Sequence, residues 1–309
     1  MSVRLGYLLP TREQVMRGEH DTAGLLDLAR CAAGHGFDSL WAGDSLLARP
    51  RHDPITLLAG VATAIPDVHV GTAVLLPALR NPVVLAQQLA TVDQLSNGRL
   101  IVGAGIAADA PSIRAEFASA GVPFEARVGR LLEGFRLMRA LWGNEPVEWQ
   151  GRWTVESGEL APKPVQPGGP PVWLAAGVEP GIARAARHFQ GWFPIGPDVD
   201  TFTARNAYYR QCVLDNGTAE ATTALYATLC INDDMDAADA AIDAYLTEYY
   251  GVPASIMRSI QACFGGPAED VMAFLKGYVD AGAQHLVLRL VGEHEATLAA
   301  LARHRHLLS

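Results

Sequence analysis

Short, almost uninterrupted apolar runs alternate with segments of helical spacing from one end of the chain to the other. The runs fall at residues 3–9, 39–43, 68–76, 100–104, 171–176, 191–194, 224–231 and 285–290. Helical patterns follow at 21–35, 54–65, 82–95, 124–142, 180–189, 201–214, 236–249, 267–281 and 293–305, with a further helical piece at 253–264. Strands that are apolar at nearly every position, and not at alternate ones, are buried on both faces, as in a parallel sheet. Regular βα alternation implies right-handed parallel crossovers. Eight such units within 309 residues predict an α/β fold, a (β/α)8 TIM barrel, as one domain over residues 1–309. Residues 148–160 read as a small hairpin inserted after the long fourth-unit helix, turning at Gln150-Gly151. Asp53 before Pro54 and Asn81 before Pro82 mark two helix starts, since a side-chain oxygen caps the first turn and proline suits its first position.

The composition narrows the function. Half the residues are hydrophobic and the net charge is −9. The 22 Arg are scattered and the only lysines are Lys163 and Lys276. With no basic run, a nucleic-acid surface is not expected. No apolar stretch is long enough to span a bilayer. The start of the sequence lacks the basic and long apolar regions of a signal peptide. Cys31, Cys212, Cys230 and Cys263 are far apart, which suits reduced thiols in a cytoplasmic protein. No metal site is expected, because the histidines are isolated and His294-Glu295 does not extend to H-E-x-x-H.

In such a barrel the chemistry sits at the C-terminal ends of the strands. That rule selects Leu8 and Leu9; Gly43, Asp44 and Ser45; Ala73 to Leu76; Gly103 to Ile106; Ala176 to Glu179; Pro194 to Gly196, with Ile195 between them; and Arg289. Gly43-Asp44-Ser45-Leu46 spells the signature of a serine-hydrolase family, but it follows the second strand and lacks the downstream D-x-x-H. Asp44 and Ser45 then either face a ligand or cap nearby backbone. His52, beside Arg49-Pro50-Arg51, is a reserve acid or base. The small residues Gly71-Thr72-Ala73 admit two explanations, a flat ring approaching the backbone or a bulge that bends the strand. Gly177-Val178-Glu179-Pro180 opens a helix, where N–H groups can hold a phosphate. Tyr245, Tyr249 and Tyr250 read most simply as packing.

Several segments in fixed order carry a resemblance: Gly36-Phe37-Asp38-Ser39-Leu40-Trp41, Gly71-Thr72-Ala73-Val74-Leu75-Leu76-Pro77, Arg80-Asn81-Pro82-Val83-Val84-Leu85-Ala86, Asp93-Gln94-Leu95-Ser96-Asn97-Gly98-Arg99-Leu100, Gly121-Val122-Pro123-Phe124, Pro162-Lys163-Pro164-Val165-Gln166 and Gly191-Trp192. Over nearly its whole length the chain resembles the luciferase-like monooxygenase superfamily of flavin- and deazaflavin-dependent oxidoreductases, and looks most like its coenzyme F420 branch. The resemblance implies a bacterial-luciferase-like barrel and a non-prolyl cis peptide at Ala73-Val74 behind the cofactor ring. It implies FMN or F420 (8-hydroxy-5-deazaflavin) contacts from Leu9, Asp44, Thr72, Ala73, Val74, Gly105, Ile106, Ala176, Gly177 and Val178, with phosphate at Gly177-Val178. Asp44, Ser45 and His52 become the candidate catalytic set, and Ile195 and Arg289 the substrate contacts.

Two positions depart from the pattern. Ser45 stands where alcohol- and sugar-oxidising deazaflavin members often have a histidine base. Val178 and Glu179 stand where hydroxyl residues often meet the phosphate. The expected activity is hydride transfer between F420 and a small organic substrate. The alternatives are an FMN-dependent monooxygenase supplied by a separate reductase, and a non-catalytic flavin-binding protein. A homodimer through the helices after strands two and three is expected on the same resemblance.

Overall fold

A computed structural model of the chain describes residues 3–218 and 221–309; Met1 and Ser2, part of the N-terminal reading, lie outside the described residues. In chain order the strands are β1 (Arg4–Leu8), β2 (Ser39–Ala42), β3 (His69–Leu75), β4 (Leu100–Ala104), β5 (Val147–Gln150), β6 (Thr154–Gly158), β7 (Val172–Leu174), β8 (Gly191–Trp192), β9 (Thr222–Ile231), β10 (Ala262–Gly266) and β11 (His285–Leu290). The helices are α1 (Thr11–Met16), α2 (Ala23–Gly34), α3 (Pro54–Ala64), α4 (Pro82–Leu95), α5 (Pro111–Ser119), α6 (Arg127–Trp142), α7 (Glu179–His188), α8 (Val199–Asp215), α9 (Met235–Tyr250), α10 (Ala254–Arg258), α11 (Ala268–Asp280) and α12 (His294–His304). The chain clusters into two compact units, one of residues 1–41 with 173–309 and one of residues 42–172.

In the first unit all ladders are parallel. β7 pairs with β8, β8 with the start of β9, β9 with β11, β11 with β1, and β1 with β2. The interior is aromatic. Trp41 and Trp173 lie 5.5 Å apart, and the His285 ring meets both, edge-on to Trp41 at 5.5 Å. Ser39 Oγ sits 2.7 Å from His285 Nε2 and accepts from Trp41 Nε1 at 2.7 Å, so the polar atoms of this core are paired. Gly6 faces the same group. A Cβ there would come within 2.4 Å of Trp41 Nε1, so the cluster requires a glycine.

The second unit holds the parallel pair β3–β4, helices α3 to α6 and the antiparallel hairpin β5–β6. The two predicted caps are present. Asp53 accepts from Thr56 N at 2.8 Å, and Asn81 from Val83 N at 2.9 Å. Asp93, fully buried, accepts from Gln166 N and Gln166 Nε2, which ties the proline-rich connector to α4.

Three elements differ from the sequence expectation. Residues 253–264 are not one helical piece: α10 ends at Arg258, and Ala262–Gly266 is strand β10. The reason lies in β9, ten residues long. Along β9, β8 covers only Thr222 and Thr223, and β10 pairs from Ala227 to Ile231, further along the strand. Backbone N–H and C=O groups buried there need a ladder, and this need overrides local propensity. The short helices α1 and α5 were also not anticipated. Neither has a side-chain cap to announce it.

Candidate active site

The end of β3 has the features that the sequence placed there. The Ala73–Val74 peptide is cis, and the β3–β4 register shifts between Thr72 and Leu75. Ala73 and Val74 are half-buried within an otherwise buried strand end, as is Ile106 beyond β4. Gly105 is required by Val74: a Cβ at residue 105 would come 2.7 Å from Val74 Cγ2. Thr72 lies differently from a ligand contact. It is buried, and its hydroxyl donates to Gly103 O at 2.8 Å, bonding one strand to the next.

The loop after β2 is held by two carboxylates. Asp44 Oδ2 accepts from Leu76 N at 2.8 Å and Arg80 Nη1 at 2.5 Å, while Oδ1 accepts from Arg80 Nη2 at 3.0 Å. Its side chain is 1% exposed. Asp44 therefore anchors this loop to the β3–α4 connection. Ser45 Oγ donates to Glu116 Oε1 at 2.7 Å and accepts from Arg49 N at 2.9 Å. Glu116 Oε1 also accepts from Leu46 N at 2.6 Å, Leu47 N at 2.8 Å and Ala48 N at 3.1 Å. Burial would raise the Glu116 carboxyl, but the Ser45 hydroxyl and these three N–H groups hold it below its ordinary value. A carboxylate in that state is a poor base, so the Ser45–Glu116 pair does not supply an activated serine. Glu116 lies on α5, whose presence sequence reasoning missed. His52 is half-buried, and its Nδ1 is buried with no hydrogen-bond partner.

In the first unit, Leu9 is buried and donates its N–H to Trp41 O at 2.9 Å. Ala176 O accepts from Trp192 Nε1 at 2.8 Å, which fixes the turn before α7. Gly177 and Val178 are exposed at the start of α7. Pro180 has no N–H, and those of Gly181 and Ile182 return to Val178 O. The basic groups missing from the sequence argument are beside this turn. A side chain at Gly177 would lie 4.0 Å from Arg205 Nη1, and one at Gly181 4.0 Å from Arg184 Nη1. Arg205 Nη1 also donates to Gly196 O at 3.2 Å. Ile195 is half-buried, and its carbonyl accepts from Ala262 N at 2.5 Å.

Arg289 is almost fully buried and surrounded by tyrosines. Nη1 donates to Tyr245 Oη and Nη2 to Tyr249 Oη, both at 2.8 Å. The guanidinium carbon lies 4.0 Å from the Tyr249 ring centroid and 5.4 Å from that of Tyr226. Tyr245 also donates to Glu13 Oε1, which is 4.0 Å from Arg289 Nη1. The tyrosine group on α9 is thus more than packing, because two of its hydroxyls orient a buried cation. Aromatic residues forty or more positions from Arg289 gave no sequence signal for this. Among the described residues no group of three or more His, Cys, Asp or Glu could hold a metal ion, and no helix is long and apolar enough to cross a membrane.

The model of the luciferase-like monooxygenase family matches residues 3–305. An uncharacterized protein of Mycobacterium tuberculosis is 33% identical over 56% of this chain and 67% of its own length. The F420-dependent glucose-6-phosphate dehydrogenase of Kineococcus radiotolerans is 29% identical over 95% of this chain and 93% of its own. Among solved structures, an F420-dependent secondary alcohol dehydrogenase in complex with an F420-acetone adduct superposes with a TM-score of 0.85 at 18% identity, covering 100% of both chains. That likeness shows the fold, eight parallel strands of a (β/α)8 TIM barrel with their helices. The strand-end features and the matched length lead to one conclusion: the chain is an oxidoreductase that belongs to the luciferase-like monooxygenase family.

Proposed function

We propose that the protein transfers a hydride between coenzyme F420 and a small organic substrate. The observation that carries this reading is the half-buried apolar surface of Ala73, Val74 and Ile106, set against the buried Thr72, Leu75, Ala104 and Gly105 at the ends of β3 and β4. The apolar face of a flat ring fits such a surface, since their contact removes apolar area from water. F420 is preferred over FMN because dehydrogenases named for it match this chain over most of its length. When bound, the deazaflavin would supply two-electron hydride chemistry.

The chain's own residues bind and orient. Ala73, Val74, Gly105 and Ile106 would carry the ring, and Gly177 and Val178 the phosphate, with Arg184 and Arg205 supplying positive charge. Asp44 and Ser45 act through loop placement: their side chains fix residues 44–49 by the Arg80 and Glu116 contacts. His52, with an unpartnered buried Nδ1, is the candidate proton carrier. Ile195 and Arg289 would meet the substrate. A homodimer through α3 and α4 is proposed with it, since Val84 and Leu95 of α4 are exposed. A separate reductase would regenerate the reduced cofactor.

Titration of purified protein with F420 and, in parallel, with FMN tests the reading through tryptophan fluorescence. Micromolar or tighter binding of F420 is expected. Tight binding of FMN alone would replace the hydride reading with oxygen chemistry, and binding of neither would remove the cofactor assignment.

A further inference from the structure

Two polar atoms beside Arg289 have no partner. Arg289 Nε and Tyr226 Oη are both buried, and neither makes a hydrogen bond within the protein. Arg289 is 5% exposed and Tyr226 7%. Buried polar groups in native folds are almost always paired, so two orphans on adjacent side chains call for a partner from outside the chain. Their chemistry limits that partner. A guanidinium N–H can only donate. Burial holds the Tyr226 phenol well above its ordinary value, although Arg289 pulls the other way, so it too carries its proton. The guanidinium lies 5.4 Å from the Tyr226 ring centroid, and both orphans can donate, so one acceptor would satisfy the pair.

Charge limits it further. Arg289 and Arg12, whose guanidinium lies 4.8 Å from the Tyr249 ring centroid, bring two positive charges to this cluster. Glu13 brings one negative charge. A guanidinium in a place that water barely reaches favours an anionic acceptor over a neutral oxygen, and its one uncommitted edge together with one phenol matches the two oxygens of a carboxylate. Both Nη atoms of Arg289 are already committed to Tyr245 and Tyr249, so the Nε edge is what a ligand can use.

We propose that Tyr226 and Arg289 hold a carboxylate of the substrate, and that the substrate class is therefore small organic monocarboxylates. The proposal rests on the reading of Arg289 as a substrate contact. Tyr245, Tyr249 and Glu13 are positioning residues in it, because they set the guanidinium and do not themselves meet the ligand.

Tyr226→Phe tests it, since that change removes only the orphan oxygen. Thermal unfolding of wild type and variant is followed with acetate, pyruvate and benzoate at constant ionic strength. Benzamide and inorganic phosphate serve as comparisons, and each series is run with and without F420. Without ligand the variant is expected to melt at the same temperature as wild type or above it. At least one carboxylate is expected to stabilise wild type, with about tenfold weaker affinity in the variant. A lower melting temperature for the unliganded variant would show that the hydroxyl is satisfied internally and overturn the proposal. So would carboxylates that stabilise both proteins equally or neither, or a phosphate effect that depends on Tyr226 more than any carboxylate effect does. F420 binding, read separately by fluorescence, keeps a failure of this site distinct from a failure of the cofactor reading.

Discussion

One oxygen of Glu116 accepts four hydrogen bonds, from the Ser45 hydroxyl and from the N–H groups of Leu46, Leu47 and Ala48. A single carboxylate from α5 thus organises the turn that follows β2. Glu116→Ala is expected to cost about 2–3 kcal/mol, because it strands several donors together, and Glu116→Gln about half of that. Urea unfolding checks both. The carboxyl is held low in the folded state, so its contribution is present above the ordinary carboxylate range and disappears as pH falls through the lowered value. Glu116→Gln should flatten the acid limb of the stability curve.

Asp44 and Arg80 make a two-point ion pair whose side chains are 1% and 15% exposed. Removal of Asp44 leaves the Arg80 guanidinium with only the more exposed Asp53, 3.2 Å from Nη2, and leaves Leu76 N without its acceptor. Asp44→Ala is expected to lose about 3 kcal/mol, and the double variant Asp44→Ala with Arg80→Met appreciably less than the sum of the two singles. A double-mutant cycle in urea measures the coupling. Independent, additive losses would show that the pair does not act as a unit.

Tyr7 Oη lies 2.7 Å from His294 Nδ1, between β1 and the first turn of α12. Burial lowers the His294 pKa, with Glu13 opposing and Arg17 assisting. The folded protein then resists protonation that the unfolded chain accepts at about pH 6.5. Stability from this site is therefore complete above that pH and declines as pH falls from 6.5 toward the lowered value, with a slope no steeper than about 1.4 kcal/mol per pH unit. His294→Gln should reduce the slope between pH 7.5 and 5.5, measured by chemical denaturation at each pH.

Gly169 has φ +97°, and a Cβ there would come 2.1 Å from the Trp142 ring. Gly169→Ala meets both a backbone conformation that L-residues avoid and a fixed indole. A loss of about 2–3 kcal/mol is expected, with a lower melting temperature. Gly168→Ala, at φ +78° and with nothing within 4 Å, should cost less. Equal losses at the two positions would exclude the indole contact as a cause.

The strand order of chemistry along the chain was legible because buried parallel strands write themselves as apolar runs, and proline after Asp53 or Asn81 marks a helix start locally. The cis peptide and the small residues around it were legible through resemblance. β10 was not, because Ala262–Gly266 becomes a strand only through the unmet ladder of β9. Asp44 and Ser45 were placed correctly on the strand-end loop, but their partners, Arg80 and Glu116, stand 36 and 71 residues away. The partners of Arg289 were hidden for the same reason: a hydroxyl on a helix carries no mark in sequence of the cation it will face.

Trp41 and Trp173 lie 5.5 Å apart with their planes tilted by 33°. Two indoles that close and that oblique share their electronic transitions, and the coupled bands overlap the peptide bands of the far ultraviolet. A circular dichroism spectrum of this protein will therefore not sum as helices and strands alone. Helix content fitted from it will be biased by a pair of side chains, and the bias will vanish only when this core melts.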